Sequence, residues 1–254
     1  DFMRNIGPFS DGYSLWWSVE GRNKKSITLD LRKPRGREIF LDLVAACDVV
    51  VENFRPGTLE GWDLGYERLA ERNPGIILTR ASVYGQTGPY SQRPGLDRNG
   101  ISFSGLLYLT GYPDRPPVRP GIIIADYLTG VFNALSIMIA LYHRDVHRGG
   151  GQSVDLTLSE SPFRVLEHTL PAYDKLGIVR GRTGNRLANS APLDNWETAD
   201  GEFISMAAPG DQLFPRLARA MGQPELATDP RFATLARRAE NSDEINGIVA
   251  EWCK

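Results

Sequence analysis

The residue that first suggests chemistry is a lone carboxylate, Asp126. It separates the apolar run 122–125 from a nearly continuous apolar segment that extends through Tyr142. This pattern predicts that Asp126 lies in the first turn of a buried helix. An aspartate there can cap the helix by accepting backbone N–H groups. The same groups and the helix dipole can instead hold an ionised carboxylate ready for nucleophilic attack. Position alone favours the cap, so the choice depends on the neighbouring elements.

Strand and helix patterns alternate through the first half of the chain. Short apolar or alternating runs predict strands at 26–31, 48–52, 76–78 and 153–158, and the β-branched run 49–51 suits a strand buried on both faces. Helical patterns lie between the first three strands, at 34–47 and through 66–70. This alternation is typical of βαβ units and predicts an α/β fold with an open, parallel, Rossmann-like sheet. The segment 128–142 is apolar on all sides, which predicts a helix in the core or at an interface.

Polar and basic residues follow three of the predicted strands. In open parallel sheets, ligands bind beyond the carboxyl ends of the strands. Each residue alone is explained better as a surface charge or a turn former. The convergence of three such loops nevertheless predicts a binding crevice, and no nucleotide-binding glycine motif accompanies it. The loops contain Arg32, then Asn53, Phe54 and Arg55, then Tyr84, Gly85, Gln86 and Thr87.

Composition argues against several other classes of protein. The 254 residues are 41% hydrophobic and 24% charged, as in an ordinary globular protein, and a net charge of −2 disfavours nucleic acid as a partner. No signal peptide and no apolar run of roughly 18 residues is evident, which predicts a cytoplasmic protein without a membrane partner. Cys47 and Cys253 are two isolated thiols. His143 and His147 lack a third, acidic ligand, so neither a metal nor a permanently bound cofactor is expected.

The character of the sequence changes after the stretch 181–192, which is predicted to be a hinge. Beyond it, strands predicted at 195–199 and 202–207 flank the hairpin dipeptide Asp200-Gly201, and helices are predicted at 212–221 and from 232 onward. The sequence therefore predicts a large α/β domain at 1–183 and a smaller α+β domain at 184–254. Because the chain begins without Met and ends without a helix C-cap signal, we expect a fragment.

Six motifs occur in order along nearly the whole chain: Asn23–Leu31, Val51–Gly57, Tyr84–Tyr90, Ala125–Asp126, Gly150–Asp155 and Asp229–Ala233. Together they resemble the class III coenzyme A transferases, the CaiB/BaiF family. This family includes formyl-CoA transferase, carnitine CoA-transferase and the related α-methylacyl-CoA racemases. The resemblance implies the class III CoA-transferase fold and an interlocked homodimer. It also implies a βα unit ahead of Asp1 and a continuation of the small domain past Lys254.

The resemblance gives Asp126 a covalent role. It implies that Asp126 attacks the thioester of an acyl-CoA donor, and that CoA reaches a small carboxylic acid through a mixed anhydride and an aspartyl-CoA thioester. Bound, well-aligned groups reach effective molarities of roughly 10⁵ M or more, which compensates for a weak nucleophile. Donors for the tetrahedral oxyanion are expected from the backbone near Gly85 or from the Gln86 amide. The implied contacts to CoA, a substrate here, are Leu29, Arg32, Asn53, Phe54, Arg55, Tyr84, Gly85, Gln86 and Thr87.

Three departures from the family pattern bear on function. Gly61 stands where a basic residue often contacts a CoA phosphate, so Arg55 or Arg32 is expected to compensate. The glycine-rich loop that shields the intermediate in some members is not evident near 206–210. The racemase motif Gly-His-Asp reads Gly95-Leu96-Asp97, and because leucine cannot act as a base, transfer is favoured over racemisation. A racemase acting by α-proton abstraction and a non-catalytic CoA-binding protein remain the alternatives.

The sequence does not specify the acid. Six arginines could anchor a second carboxylate of that acid, although each is also explained as a surface or interface charge. They are Arg93, Arg98, Arg115, Arg119, Arg182 and Arg186. Four of them fall within 90–121, a stretch rich in Gly, Pro and Arg that is predicted to be a linker covered by a second subunit.

Overall fold

A small parallel sheet forms the centre of the large unit in this computed structural model, which describes residues 1–254. A two-residue antiparallel pair, β1 (Phe9–Ser10) and β2 (Tyr13–Ser14), precedes it. The sheet has the order β3-β4-β5, and both of its pairings are parallel. Its strands are β3 (Val49–Glu52), β4 (Ile77–Ser82) and β5 (Gln152–Thr157). The predicted parallel α/β architecture is therefore present.

Helices occupy the connections between these strands and most of the chain that follows. Two short 3₁₀ helices, Phe2–Asn5 and Pro224–Ala227, accompany them. The α-helices are α1 (Leu15–Glu20), α2 (Pro34–Ala45), α3 (Thr58–Gly61), α4 (Tyr66–Arg72), α5 (Asp97–Phe103), α6 (Leu106–Leu109), α7 (Ile124–Val146), α8 (Glu160–Arg164), α9 (Thr169–Leu176), α10 (Phe214–Ala220), α11 (Leu235–Glu240) and α12 (Ser242–Cys253).

The central strand and the edge strand differ in burial. In β4, Ile77 and Leu78 are fully buried, as the apolar run predicts. In β3, by contrast, Val51 is exposed, so the expectation of a strand buried on both faces is wrong for that strand. Strand side chains point to the two faces of a sheet, so the face that carries Val51 is not covered by another element of the chain.

The predicted strand at 26–31 is not formed. The segment has no strand partner, and Ile27 is exposed, whereas Leu31 packs beside the apolar cluster between α2 and β4. Alternation of apolar residues describes an extended chain with one buried face, but a strand also needs a neighbour that accepts its hydrogen bonds. The free edge of β3 pairs with no strand in this structure.

Helix α7 is longer and more exposed than its sequence pattern predicts. One narrow stripe, which includes Ala125, Thr129, Asn133 and Ala140, is buried against the rest of the chain. The other faces are largely exposed, so burial on all sides does not occur within one chain. Contrary to the count of apolar residues made on the sequence, α7 is long and apolar enough to cross a membrane. Length and apolar composition alone are weak evidence for a membrane span, because core helices of other proteins share them.

The stretch 90–121 is not a plain linker, because it contains α5 and α6. Both helices are short, and Gly95, Gly105 and Gly111 separate them from their neighbours. Such short segments show no sustained helical period, which explains why the sequence pattern did not reveal them. Helix α5 packs against α7 and therefore helps to shape the region around Asp126.

The last quarter of the chain forms a unit with its own core. Strands β6 (Leu193–Glu197) and β7 (Phe203–Ala207) form the predicted antiparallel hairpin, with ends displaced by one or two residues from the prediction. Three helices, α10 to α12, pack beside it, and a nine-residue apolar cluster extends from Ala191 to Val249. The boundary between 183 and 184 stays a prediction.

Candidate active site

Asp126 lines a cavity of about 560 Å³. Three further residues of α7 line the same cavity, namely Thr129, Gly130 and Asn133. Residues spaced at i, i+3, i+4 and i+7 share one face of a helix, so a single face of α7 forms one wall. Asp126 lies in the first turn, as predicted, and its side chain is accessible from this cavity.

The first turn of α7 is capped by another carboxylate, that of Asp97. Ile123 occupies the N-cap position and provides no side-chain cap. Instead, Asp97 Oδ1 accepts a hydrogen bond from the Ala125 N–H at 2.7 Å and a longer one from the Asp126 N–H at 3.4 Å. Because Asp97 satisfies these two backbone groups, the side chain of Asp126 is released from the capping role considered above.

The environment of Asp126 disfavours its ionised form. Partial burial, and to a smaller extent the negative charge of Asp97, raise the pKa of the Asp126 carboxyl above its ordinary value. Asp97 is itself buried, and its Oδ2 has no hydrogen-bond partner, although Arg119 Nε lies 4.0 Å away. The side chain is nevertheless exposed to the cavity, so the carboxylate remains accessible to a ligand there.

The loop after β3 also lines the cavity. Asn53, Phe54 and Arg55, all predicted CoA contacts, line the same cavity as Asp126. The loop is tied down at two points. Asn53 Nδ2 donates to the Ala81 carbonyl oxygen at 2.8 Å, and the Phe54 N–H donates to Glu52 Oε2 at 2.6 Å. Asp126 and this part of the predicted CoA site therefore share one cavity.

Leu29 and Arg32 lie in a second cavity, of about 360 Å³, which Phe54 also lines. The two cavities therefore meet at the Phe54 side chain. Arg32 pairs with Asp30, with 2.8 Å between Nε and Oδ1, so its guanidinium already has a carboxylate partner. The side chain of Arg55, in contrast, forms no ion pair within the chain, which makes it the better candidate for a phosphate contact.

Val83, the first residue after β4, lines the Asp126 cavity, but the predicted contacts Tyr84–Thr87 line neither cavity. Tyr84 packs against the rings of Tyr90 and Phe103, and Thr87 is exposed. The Gly85 N–H donates to Ser82 Oγ at 3.0 Å, and the Gln86 N–H donates to Asp155 Oδ2 at 2.8 Å.

Both backbone groups of this loop expected to bind an oxyanion are therefore occupied, and that expectation is wrong for them. The Gln86 Nε2 amide is buried without a partner. This side-chain amide is therefore a predicted donor that remains available on the loop.

Sequence reasoning missed Asp97 and Asn133, and it did not single out Arg93. Asp97 was considered only as part of a motif, and its contact to α7 spans 28 residues of sequence. Asn133 is buried, its Oδ1 has no partner, and it lines the Asp126 cavity. Helical spacing from Asp126 was the available signal for Asn133. Leu96 lines the cavity as well, with 76% of its surface exposed.

The sequence pattern of CoA-transferase family III matches residues 1–254, and the chain belongs to that family. The chain is 49% identical over 241 residues to the succinyl-CoA–D-citramalate CoA-transferase of Chloroflexus aurantiacus; this match covers 95% of the chain and 60% of the relative. It is 42% identical over 256 residues to the succinyl-CoA–L-malate CoA-transferase beta subunit of that organism, with 100% and 63% coverage.

A solved structure of a CaiB/BaiF family protein from Brucella suis has the same fold. It superposes with a TM-score of 0.83 at 36% sequence identity, and the match covers 100% of this chain and 68% of that protein. The chain spans about three fifths of the length of the two Chloroflexus relatives. The fold class predicted from the sequence is thereby confirmed.

Proposed function

We propose that the protein transfers coenzyme A from an acyl-CoA to a carboxylic acid, with Asp126 as the covalent nucleophile. The observation that carries the proposal is the shared cavity, which is lined by both Asp126 and the loop Asn53–Arg55. The capping role that would otherwise explain an aspartate in this turn is performed by Asp97. An accessible carboxylate with a raised pKa beside a predicted CoA loop is suited to attack on a bound thioester.

The reaction proceeds by four acyl transfers that conserve charge and require no proton. The Asp126 carboxylate attacks the thioester carbon and the C–S bond breaks. The products are a mixed anhydride on Asp126 and free CoA thiolate. The thiolate attacks the aspartyl carbon, which gives an aspartyl-CoA thioester and the free donor acid. The acceptor carboxylate then attacks the aspartyl carbon of that thioester, the C–S bond breaks, and a second mixed anhydride and free CoA thiolate form. Attack of the thiolate on the acceptor acyl carbon completes the transfer and restores Asp126.

The residues around Asp126 support this chemistry in two ways. The loop held by Glu52 and Ala81 presents Phe54 and Arg55 to the CoA, which fixes the thioester near the nucleophile and lowers the entropic part of the barrier. Leu96 adds an apolar surface, and limiting the access of water protects an anhydride from hydrolysis. We further propose Leu29, Arg32 and the loop Tyr84–Thr87 as CoA contacts, and a homodimer as the working form.

We propose that the acids exchanged are small dicarboxylates. The two Chloroflexus relatives are named for succinyl-CoA with D-citramalate and with L-malate. All three acids carry two carboxylates on a short chain. A cavity of about 560 Å³ can hold a small acid beside the thioester end of CoA.

The decisive variant is Asp126→Asn, which is isosteric and carries no nucleophilic charge. In the intact protein we expect it to abolish CoA transfer from succinyl-CoA to L-malate, while Asp145→Asn at the far end of α7 keeps full activity. Hydroxylamine added during turnover should leave a hydroxamate on the peptide that carries Asp126. Transfer by Asp126→Asn at a near-normal rate, or an unmodified peptide, would contradict the proposal.

The same variant tests folding. Because the pKa of Asp126 is raised in the folded state, ionisation of this carboxyl destabilises the fold at pH values above that pKa. This penalty disappears below the unfolded-state pKa, where the group is protonated in both states. Asp126→Asn should therefore melt no lower than the parent at pH 7. A lower melting temperature would mean that the variant lost activity through its fold.

Racemisation has a separate test. Leu96 lies where the racemase motif has histidine, and its aliphatic side chain takes no proton. We therefore expect no exchange of the α-hydrogen with solvent deuterium when acyl-CoA is incubated without an acceptor acid. Exchange under these conditions would favour the racemase over the transferase. Binding of CoA without any transfer would favour a non-catalytic protein.

A further inference from the structure

Of the six arginines that could anchor a second carboxylate, only Arg93 lines the Asp126 cavity. Arg98 is exposed on α5, outside the cavity, and Arg182 donates to the carbonyl oxygens of Tyr108 and Tyr112. The remaining three already lie beside carboxylates, Arg115 near Asp114, Arg119 near Asp97, and Arg186 between Asp194 and Asp243.

The Arg93 guanidinium is held in place without being neutralised. Its central carbon lies 4.2 Å from the centre of the Tyr90 ring, a stacking distance. Tyr90 is in turn packed against Tyr84 and Phe103, so the platform below the guanidinium is fixed. The Arg93 side chain is exposed to the cavity and pairs with no carboxylate of the chain, so its guanidinium N–H groups remain available for a ligand. A planar guanidinium matches a carboxylate with two parallel hydrogen bonds.

The negative charge near Asp126 also means that a second carboxylate of the acid needs a positively charged partner. Asp126 and the buried Asp97 make this end of the cavity negative, which repels a dianionic acid. Once Asp126 is acylated its charge is lost, but the second carboxylate of the acid still needs a partner as it leaves water. Two arginines without ion-pair partners, Arg55 and Arg93, line the cavity. Arg55 belongs to the loop proposed to bind CoA, which leaves Arg93 for the acid.

We propose that Arg93 binds the non-reacting carboxylate of the dicarboxylic acid and makes the protein select dicarboxylates over monocarboxylates. This proposal rests on the proposed CoA transfer. Arg93 is a specificity residue, and the chemistry at Asp126 proceeds without it.

The test compares L-malate with 2-hydroxybutyrate and 3-hydroxybutyrate, each of which replaces one carboxylate of malate by a methyl group. With succinyl-CoA as donor to the intact protein, double-displacement kinetics make kcat/KM for the acceptor independent of the donor. Arg93→Gln should lower kcat/KM for L-malate by about tenfold or more and leave both hydroxybutyrates nearly unchanged. Arg98→Gln, an exposed neighbour outside the cavity, is the control and should change none of the three.

The same comparison with glutarate and pentanoate covers acids that lack a hydroxyl group. Arg93→Lys should give an intermediate loss for the dicarboxylates, because an ammonium keeps the charge but not the paired hydrogen bonds. The dissociation constant of free CoA should not change in either variant. An unchanged preference for dicarboxylates in Arg93→Gln would overturn the proposal, and so would an equal loss for every acid. Weaker CoA binding with an unchanged preference would assign Arg93 to CoA instead.

The proposed function fails by a different result. Absence of transfer to every acid by the parent protein would overturn the transferase itself. Retained transfer by Arg93→Gln with parental selectivity would overturn the role of Arg93 alone.

Discussion

Asp97, at the start of α5, and Asp126, in the first turn of α7, lie at the same helix end and have separate roles. Asp97 accepts the backbone N–H groups that begin the helix, and Asp126 presents its side chain to the cavity. The sequence was sufficient to single out Asp126, because its position before a long apolar segment is a local feature. It was not sufficient for Asp97, because the contact depends on how α5 packs against α7. Packing of this kind leaves no periodic signal in the chain.

Removing the charge of Asp97 should alter the pH dependence of the reaction. The nucleophile must be ionised, so activity is lost as pH falls through the raised pKa of Asp126. Asp97→Asn keeps an oxygen that can accept the Ala125 N–H, but it removes a negative charge that helps to raise that pKa. The pKa of Asp126 should fall, and the acidic limb of kcat/KM for the acyl-CoA should move to lower pH.

The pH profile separates this electrostatic effect from a structural one. A variant that merely loosened α7 would lower kcat/KM at every pH, but the pH at which the acidic limb falls would not change. Asp174→Asn, an exposed carboxylate on α9, controls for loss of one negative charge and should leave the profile unchanged. A limb that stays at its parental pH in Asp97→Asn would contradict the role given to the Asp97 charge.

At the scale of elements, a chain of ion pairs joins β4 to the loop after β3. Arg80 on β4 pairs with Glu52 at 2.7 Å and with Glu60 at 2.6 Å, and the other Glu52 oxygen accepts the Phe54 N–H. The side chains of Arg80 and Glu52 are almost fully buried. Hydrogen bonding from Arg80 also holds the pKa of Glu60 below its ordinary value. The predicted CoA loop is thus positioned by a residue on a different strand.

Arg80→Met should destabilise the protein by about 3 kcal/mol, because it leaves the buried Glu52 carboxylate without its partner. The loss is measured as the free energy of unfolding in urea. Arg72→Met is a matched control, since Arg72 forms an exposed pair with Asp42 and should cost less than about 1 kcal/mol.

Function provides the second measurement for this network. A loosened Phe54 loop should raise KM for the acyl-CoA more than it lowers kcat, and adding Glu52→Gln to Arg80→Met should restore part of the stability. Equal losses of stability in the Arg80 and Arg72 variants would contradict the claim that the buried ion pairs of Arg80 stabilise the fold.

Close packing of α5 makes a second prediction at this scale. A side-chain carbon at Gly100 would lie 2.4 Å from the Leu158 carbonyl oxygen, closer than any real contact. Gly100→Ala should therefore displace α5 and destabilise the protein by about 1–3 kcal/mol. Since α5 begins at Asp97, the cap of α7 should loosen too, and transfer activity should fall. Gly247→Ala in α12 meets open space and should stabilise by about 0.5–1 kcal/mol. A Gly100→Ala protein as stable as its parent would refute the tight approach.

The success of the predictions differs from element to element for physical reasons. Strands β4 and β5, helices α2 and α4, and the β6–β7 hairpin were recognised because each carries a complete local signal of apolar period, turn residues or both. The segment 26–31 carries the same signal, yet it has no partner strand. The predicted site residues also differ in this way, because their positions depend on contacts with other parts of the chain. Asn53, Phe54 and Arg55 line the Asp126 cavity, whereas the Gly85 and Gln86 N–H groups donate to side chains of the same chain; the CoA contacts themselves stay predictions.

At the scale of the molecule, the apolar face of α7 is the feature that one chain leaves unexplained. Five of its large side chains, Val131, Leu135, Met138, Ile139 and Tyr142, are each more than half exposed. Isolated exposed apolar residues are ordinary, but a continuous row along one helix is typical of an interface. The proposed homodimer gives these residues a partner of the same kind, a second copy of the chain.

We therefore expect the intact protein to be a dimer by light scattering at micromolar concentration, without detergent. Met138→Lys should weaken that dimer by about tenfold or more, because it replaces a side chain whose burial contributes about 2 kcal/mol with one that is costly to bury. The fold of each chain should change little, since Met138 is exposed within it. Asp174→Lys introduces the same side chain on α9 and should leave the dimer intact. A monomeric parent protein, a requirement for detergent, or an unchanged dimer in Met138→Lys would each show that α7 does not join two copies.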